Sequence, residues 1–179
     1  MKEMGMKMMK SVVLLAVVQG LWMSQPVMAD TQLNIQGTIK ASPCTVDGDV
    51  AGSGINVSLG DSLQASTFAN ANSHSDWSTF TLKLKDCPAT TTSATAKFSG
   101  TQATEAVTLY KNTGDASNVQ IELQAQDGTN LGNNQTLTQS VNHTDNTVLF
   151  PLQARAYSYA GGATAGRIIG TVLVAFTYQ

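Results

Sequence analysis

Two cysteines, Cys44 and Cys87, are the residues in this chain with the most chemistry to offer. They lack the partners of a metal site, because there is no Cys-x-x-Cys spacing and the two histidines, His74 and His143, sit in polar, loop-like stretches. In an oxidising compartment the pair would close a single disulfide, which constrains the unfolded chain by roughly 4 kcal/mol. Nucleophilic catalysis needs a positioned base, and Gly52-Ser53-Gly54 has neither the Gly-x-Ser-x-Gly elbow nor a strand-to-helix turn beside it. It reads as a loop. In NANSHSDWS, His74 and Asp76 precede Trp77, a mix of polar and aromatic groups that could stack on a sugar ring. The competing reading is a turn whose indole tucks beneath the fold, and the large area that aromatics bury favours it.

Residues 1–29 carry the signature of a cleaved secretory leader: Lys2, Lys7 and Lys10, an apolar run from Val12 to Val18, and the small-residue ending Val27-Met28-Ala29. Gln19, Gly20, Ser24, Gln25 and Pro26 interrupt the run short of the roughly 20 residues a membrane span needs. Such a leader sends the chain to an oxidising compartment, so the Cys44–Cys87 disulfide is the expected state. All seven methionines fall in the leader, and they leave the start codon ambiguous. With three of the ten basic and one of the twelve acidic residues also in it, the remainder carries a formal charge of −4. That balance does not suit nucleic acid. About 150 residues remain, one ordinary domain.

Apolar residues alternate with polar ones along that domain. Ile55, Val57 and Leu59 do so, then Phe80, Leu82 and Leu84, then Val119, Ile121 and Leu123, and finally Val148, Phe150, Leu152 and Ala154. Pro151 points to an edge or bulged position in the last of these. Turn signals such as Asp127-Gly128 and Gly161-Gly162 separate the runs, and no stretch shows a helical stripe. The expected fold is all-β, an antiparallel sandwich of immunoglobulin-like type around a cystine.

Two stretches do not fit a closed sandwich. Before Cys44, Leu33, Ile35 and Ile39 alternate around Gly37, a strand with one apolar face. At the other end Ile168, Gly170, Val172, Val174, Phe176 and Tyr178 form one face of a final strand whose other face is also largely apolar, and no strand follows to cover its edge. Periodicity alone favours pairing these two segments within one sheet. The other possibility is that one copy's leading strand fills the vacancy beside another copy's final strand.

The segments NIQGTIKASPCTV, INVSLGD, FTLKLKDCP, AKFSG, YKNTGDASNVQIELQAQDG, FPLQARA and GGATAG, in that order and ending on the penultimate Tyr178, resemble the fimbrial (pilin) subunits of the chaperone–usher class. Gly166 stands fourteenth from the C-terminus, where this family keeps a glycine. The resemblance covers the whole chain after the leader and lies nearest the minor tip-adaptor subunits of type 1 fimbriae. It implies an incomplete immunoglobulin-like sandwich lacking its last strand, with residues 30–43 as an N-terminal donor-strand extension and 44–179 as the pilin domain. Leu33, Ile35, Gly37 and Ile39 would enter a neighbour's groove. Gly166, Ile168, Gly170, Val172, Val174, Phe176, Tyr178 and Gln179 would form this subunit's groove and its interface with a chaperone or the next subunit. The resemblance places Ile55 to Leu59 on the opposite groove wall. The implied partners are a periplasmic pilus chaperone, an outer-membrane usher and neighbouring subunits; the implied destination is an extracellular fimbria. No enzyme activity, cofactor, metal, nucleic acid or small-molecule substrate is expected. The alternatives are a major rod pilin of the same class and a carbohydrate-binding adhesin module.

Overall fold

The alternation of Phe80, Leu82 and Leu84 folds as expected into β3 (Ser78–Lys85), with Leu82 and Leu84 buried and Phe80 partly so. It lies in a computed structural model that describes residue 36, residues 42–48 and residues 54–179. Two compact units divide the chain, Met1–Gly37 and Thr38–Gln179. The leader, with the extension residues Leu33, Ile35, Gly37 and Ile39, lies outside the described residues.

All strand pairs in the second unit are antiparallel, in two sheets. The larger sheet contains β1 (Thr45–Val46), β2 (Ser73–His74), β3, β5 (Tyr110–Lys111), β6 (Gln120–Ala125) and β8 (Val148–Ser158). Its order is β1-β3-β8-β6-β5, with β2 beside the end of β8. The smaller sheet has β4 (Ser93–Gly100) between β7 (Thr136–Ser140) and β9 (Val172–Tyr178). The helical content among the described residues is the single 3-10 turn Ala65–Phe68. Inward residues of both sheets, among them Leu84, Phe98, Phe150 and Leu152, make one main core, and each fully buried side chain of this size contributes about 1.5–3 kcal/mol. A smaller cluster of Phe68, Ala116, Val119 and Ala156 sits at one end. Cys44 precedes β1 and Cys87 follows β3, so their disulfide closes the end of two paired strands.

Four local features differ from the sequence expectation, and each has a physical reason. Pro151 occupies a central strand rather than an edge, opposite Thr81 on β3. Its carbonyl accepts the Gln126 N–H just past the last paired residue of β6, so its missing N–H falls where that neighbour ends. The stretch Ile55 to Leu59 forms no strand: Ile55 is 42% exposed and Val57 37%, with Leu59 alone packed against the core. The final strand begins at Val172, not Ile168, because the backbone at residues 167 and 169 bonds to a loop instead of to a strand. Trp77 does not tuck into either apolar cluster. It lies on the outer face of the larger sheet, with the Arg155 guanidinium 4.1 Å from its ring centre.

Candidate functional site

β9 has a partner on one side. Its pairing runs from Val172 opposite Gly100 to Tyr178 opposite Ala94, all on β4, and no described strand lies along its other edge. Just beyond it, the Gln179 N–H donates to Ser93 O and the Gln179 carbonyl accepts from the Ser93 N–H. Along a strand, side chains alternate between faces and backbone groups alternate between edges with the same period of two. Thr177, Ala175 and Leu173 therefore direct N–H and C=O toward β4, whereas Val172, Val174, Phe176 and Tyr178 direct theirs toward the open edge. The same four side chains pack inward, against the main core.

One set of four residues thus presents two unmet demands. Their N–H and C=O groups have no ladder partner among the described residues, and their side chains remain only partly buried although they belong to the core side of the sheet. Phe176 lies opposite Ala96, the small residue that leaves room for its ring. It contacts Phe150 at 5.9 Å and Tyr178 at 6.4 Å between ring centres. Burial raises the Tyr178 hydroxyl pKa, an effect that a backbone hydrogen bond with Cys44 opposes. A strand added here would gain both a hydrogen-bond ladder and an apolar floor, the two ingredients of strand addition.

The approach to this edge is held rigidly. Asn112 Oδ1 accepts the Ile169 N–H and the Gly114 N–H, each at 2.8 Å, while its Nδ2 donates to Ala116 O at 2.8 Å. Thr113 N–H donates to Ile169 O, and Ala116 N–H to Arg167 O. The Asp115 carboxylate accepts the Arg167 N–H, which holds its pKa below the ordinary 3.8. Gly166 is required by close approach: a Cβ there would come within 2.5 Å of Ala116 N. Ile168 belongs to the smaller apolar cluster, and Gly170 lies beside the Ile121 side chain.

Of the residues singled out in the sequence, Val172, Val174, Phe176 and Tyr178 come together on the open edge. Gly166, Ile168 and Gly170 form its anchored approach rather than part of the strand. At the far end the Gln179 carbonyl accepts from the Thr92 and Ser93 N–H groups and the Thr92 hydroxyl, so the terminal residue is tied to β4. The donor residues Leu33, Ile35, Gly37 and Ile39 are outside the described residues.

The outer face of the larger sheet carries a cluster that alternation did not reveal. Glu122 on β6 is opposite Arg155 on β8 and bonds it at 2.6 Å, with Gln124 Nε2 donating to Glu122 at 2.9 Å. Arg155 in turn lies against Trp77, the residue just before β3, so a carboxylate on β6, a guanidinium on β8 and an indole form a row. Among the described residues no cluster of His, Cys, Asp and Glu is able to hold a metal ion.

The sequence profile of a family described as Fimbrial protein matches residues 33–179. Protein FimG of Escherichia coli (strain K12) is 36% identical over 174 residues, which cover 97% of this chain and 100% of that one. The S-fimbrial adhesin protein SfaS of Escherichia coli O6:K15:H31 (strain 536 / UPEC) is 38% identical over 149 residues, 83% of this chain and 85% of the relative. Among solved structures, the P pilus rod subunit PapA superposes with a TM-score of 0.61 at 17% identity, covering 77% of this chain and all (100%) of that one. At that identity the likeness concerns the fold.

Proposed function

The chain belongs to the fimbrial protein family, and we propose that it is a structural subunit joined to its neighbours by donated strands, in a fimbria assembled by the chaperone–usher route. The observation that carries this reading is the open edge of β9, where the backbone groups without a partner among the described residues and the half-covered side chains belong to the same four residues. A long apolar strand edge of this kind invites association, and proteins that remain monomers cover or charge it. Here it is neither covered nor charged among the described residues.

The occupant of that edge is the leading segment of another subunit. Leu33, Ile35 and Ile39 share the spacing of two that the inward residues of β9 have, and Gly37 suits a position where backbone must approach closely. Three such side chains contribute about 2 kcal/mol each on burial, and ladder hydrogen bonds add about 1 kcal/mol each. The strand makes up what the fold lacks. Before assembly, a periplasmic chaperone supplies a temporary strand and an outer-membrane usher receives the subunit. The resemblance to tip-adaptor subunits, together with 36% identity to FimG over nearly the whole chain, supports a minor adaptor role at the fibre tip. The subunit then acts outside the cell, after removal of the leader.

The test uses a chain lacking residues 30–42 and a synthetic peptide of those residues. Peptide addition should raise the melting temperature strongly, and a peptide carrying Asp at positions 35 and 39 should raise it much less. Equal effects of the two peptides, or none, would reject strand donation by this segment.

A further inference from the structure

Trp77 is held in place on the sheet's outer face without being part of the core. Arg155 packs against its ring, and Glu122 pins Arg155 from the other side, so the indole has a fixed orientation rather than that of a mobile surface ring. Beside it lies a depression of about 450 Å³, lined by Ser58, Leu59, Leu63, Asp76, Trp77 and Ser78 among others. That volume lies within the usual range of small-ligand sites. Leu63 is 36% exposed and supplies an apolar rim.

The polar groups around the depression differ in availability. Ser75 Oγ donates to Asp76 O and accepts the Ala156 N–H, and Ser78 Oγ donates to Ser58 O. The Asp76 carboxylate has no hydrogen bond or ion pair among the described residues. The Arg155 guanidinium that packs on Trp77 is paired through Nε with Glu122.

We propose that this depression binds one pyranose ring of a neutral saccharide, stacked by its C–H face on Trp77 and donating hydroxyl hydrogens to the Asp76 carboxylate. A pyranose combines an apolar face with a polar rim, which matches a fixed indole next to an unused acceptor. The Asp76 carboxylate repels acidic sugars, and the charge of the nearby Arg155 is balanced by Glu122. None of the residues lining the depression belongs to β9, so it would give the subunit a receptor contact in addition to its place in the fibre.

Saturation-transfer NMR on the full chain tests this with methyl β-galactopyranoside, methyl α-mannopyranoside and methyl β-glucuronide as probes. At least one neutral glycoside should receive saturation at its ring protons, and the glucuronide should receive none. Trp77→Ala should abolish the transfer, with circular dichroism reporting on the fold. Asp76→Asn, at an exposed position that leaves the Arg155 stack intact, should weaken the neutral glycoside and admit the glucuronide. The proposal is overturned if neither neutral glycoside shows transfer, or if folded Trp77→Ala gives the same transfer as the parent chain. If Trp77→Ala does not fold, the Asp76→Asn result decides, and continued exclusion of the glucuronide overturns the proposal.

Discussion

Replacing Phe176 with Ala should cost more when the vacant edge is filled than when it is open. The ring is partly buried and has Phe150 on one side at 5.9 Å and Tyr178 at 6.4 Å. Truncating a fully buried phenylalanine costs about 3–5 kcal/mol. With one side uncovered, roughly half of that, about 2 kcal/mol, applies to the open chain, and about 4 kcal/mol once a strand covers the groove. The difference of about 2 kcal/mol corresponds to roughly 5–8 °C in melting temperature for a domain of this size. The assay is thermal unfolding of a chain lacking residues 30–42, with and without saturating 30–42 peptide, for the parent and for Phe176→Ala. The peptide-induced rise should be smaller by that amount in the variant. Phe98, 1% exposed in the same core, serves as the control, because Phe98→Ala should cost the same in both states. Equal peptide-induced rises for Phe176→Ala and the parent would refute the reasoning that an added strand covers this ring.

Two further predictions concern charge. Glu122→Ala should destabilise by about 3 kcal/mol in urea unfolding, since it leaves Arg155, with a side chain 15% exposed, unpaired; the double replacement Glu122→Leu with Arg155→Met should be nearly neutral, and equal losses would contradict the pair's interdependence. Asp115 has its pKa lowered by the Arg167 backbone N–H, so the stability it contributes is present above the unfolded value and lost as pH falls through the lower folded one. Below about pH 4 the parent should lose stability more steeply than Asp115→Asn in a pH series of melts, and superimposable acid limbs would contradict that.

Large alternating side chains made much of the fold legible in the sequence. Phe80, Leu82 and Leu84 marked β3, and Val148, Phe150 and Leu152 marked β8, because large apolar groups at period two have one stable arrangement on a sheet. β4 was harder to see, since its inward face is Ala94, Ala96 and Phe98 and two alanines give little contrast with their polar neighbours. β7, with the sequence TLTQS, has a single large apolar residue. Ile55 and Val57 had the pattern without the strand: period two records which side of a segment is apolar but does not supply a partner for its backbone.

The candidate site was legible for the same reason in Val172, Val174, Phe176 and Tyr178. Ile168 and Gly170 continued the alternation on paper, yet the bonds from Asn112, Thr113 and Ala116 hold that backbone outside the strand. Those bonds join residues more than fifty positions apart, beyond the reach of a local pattern. The Trp77–Arg155–Glu122 row was hidden differently. Polar residues at outward positions read as solvated surface, and only the register of β6 on β8 and of the start of β3 on β8 brings them together.

Amide hydrogen exchange along β9, in a chain lacking residues 30–42, is the most direct measurement of the missing strand. The N–H groups of Leu173, Ala175 and Thr177 should be protected from the start, and those of Val172, Val174, Phe176 and Tyr178 should exchange quickly until the 30–42 peptide is added and then become protected. Uniform protection along β9 before any peptide is added, or no gain at the four outward amides afterwards, would contradict an unfilled strand position.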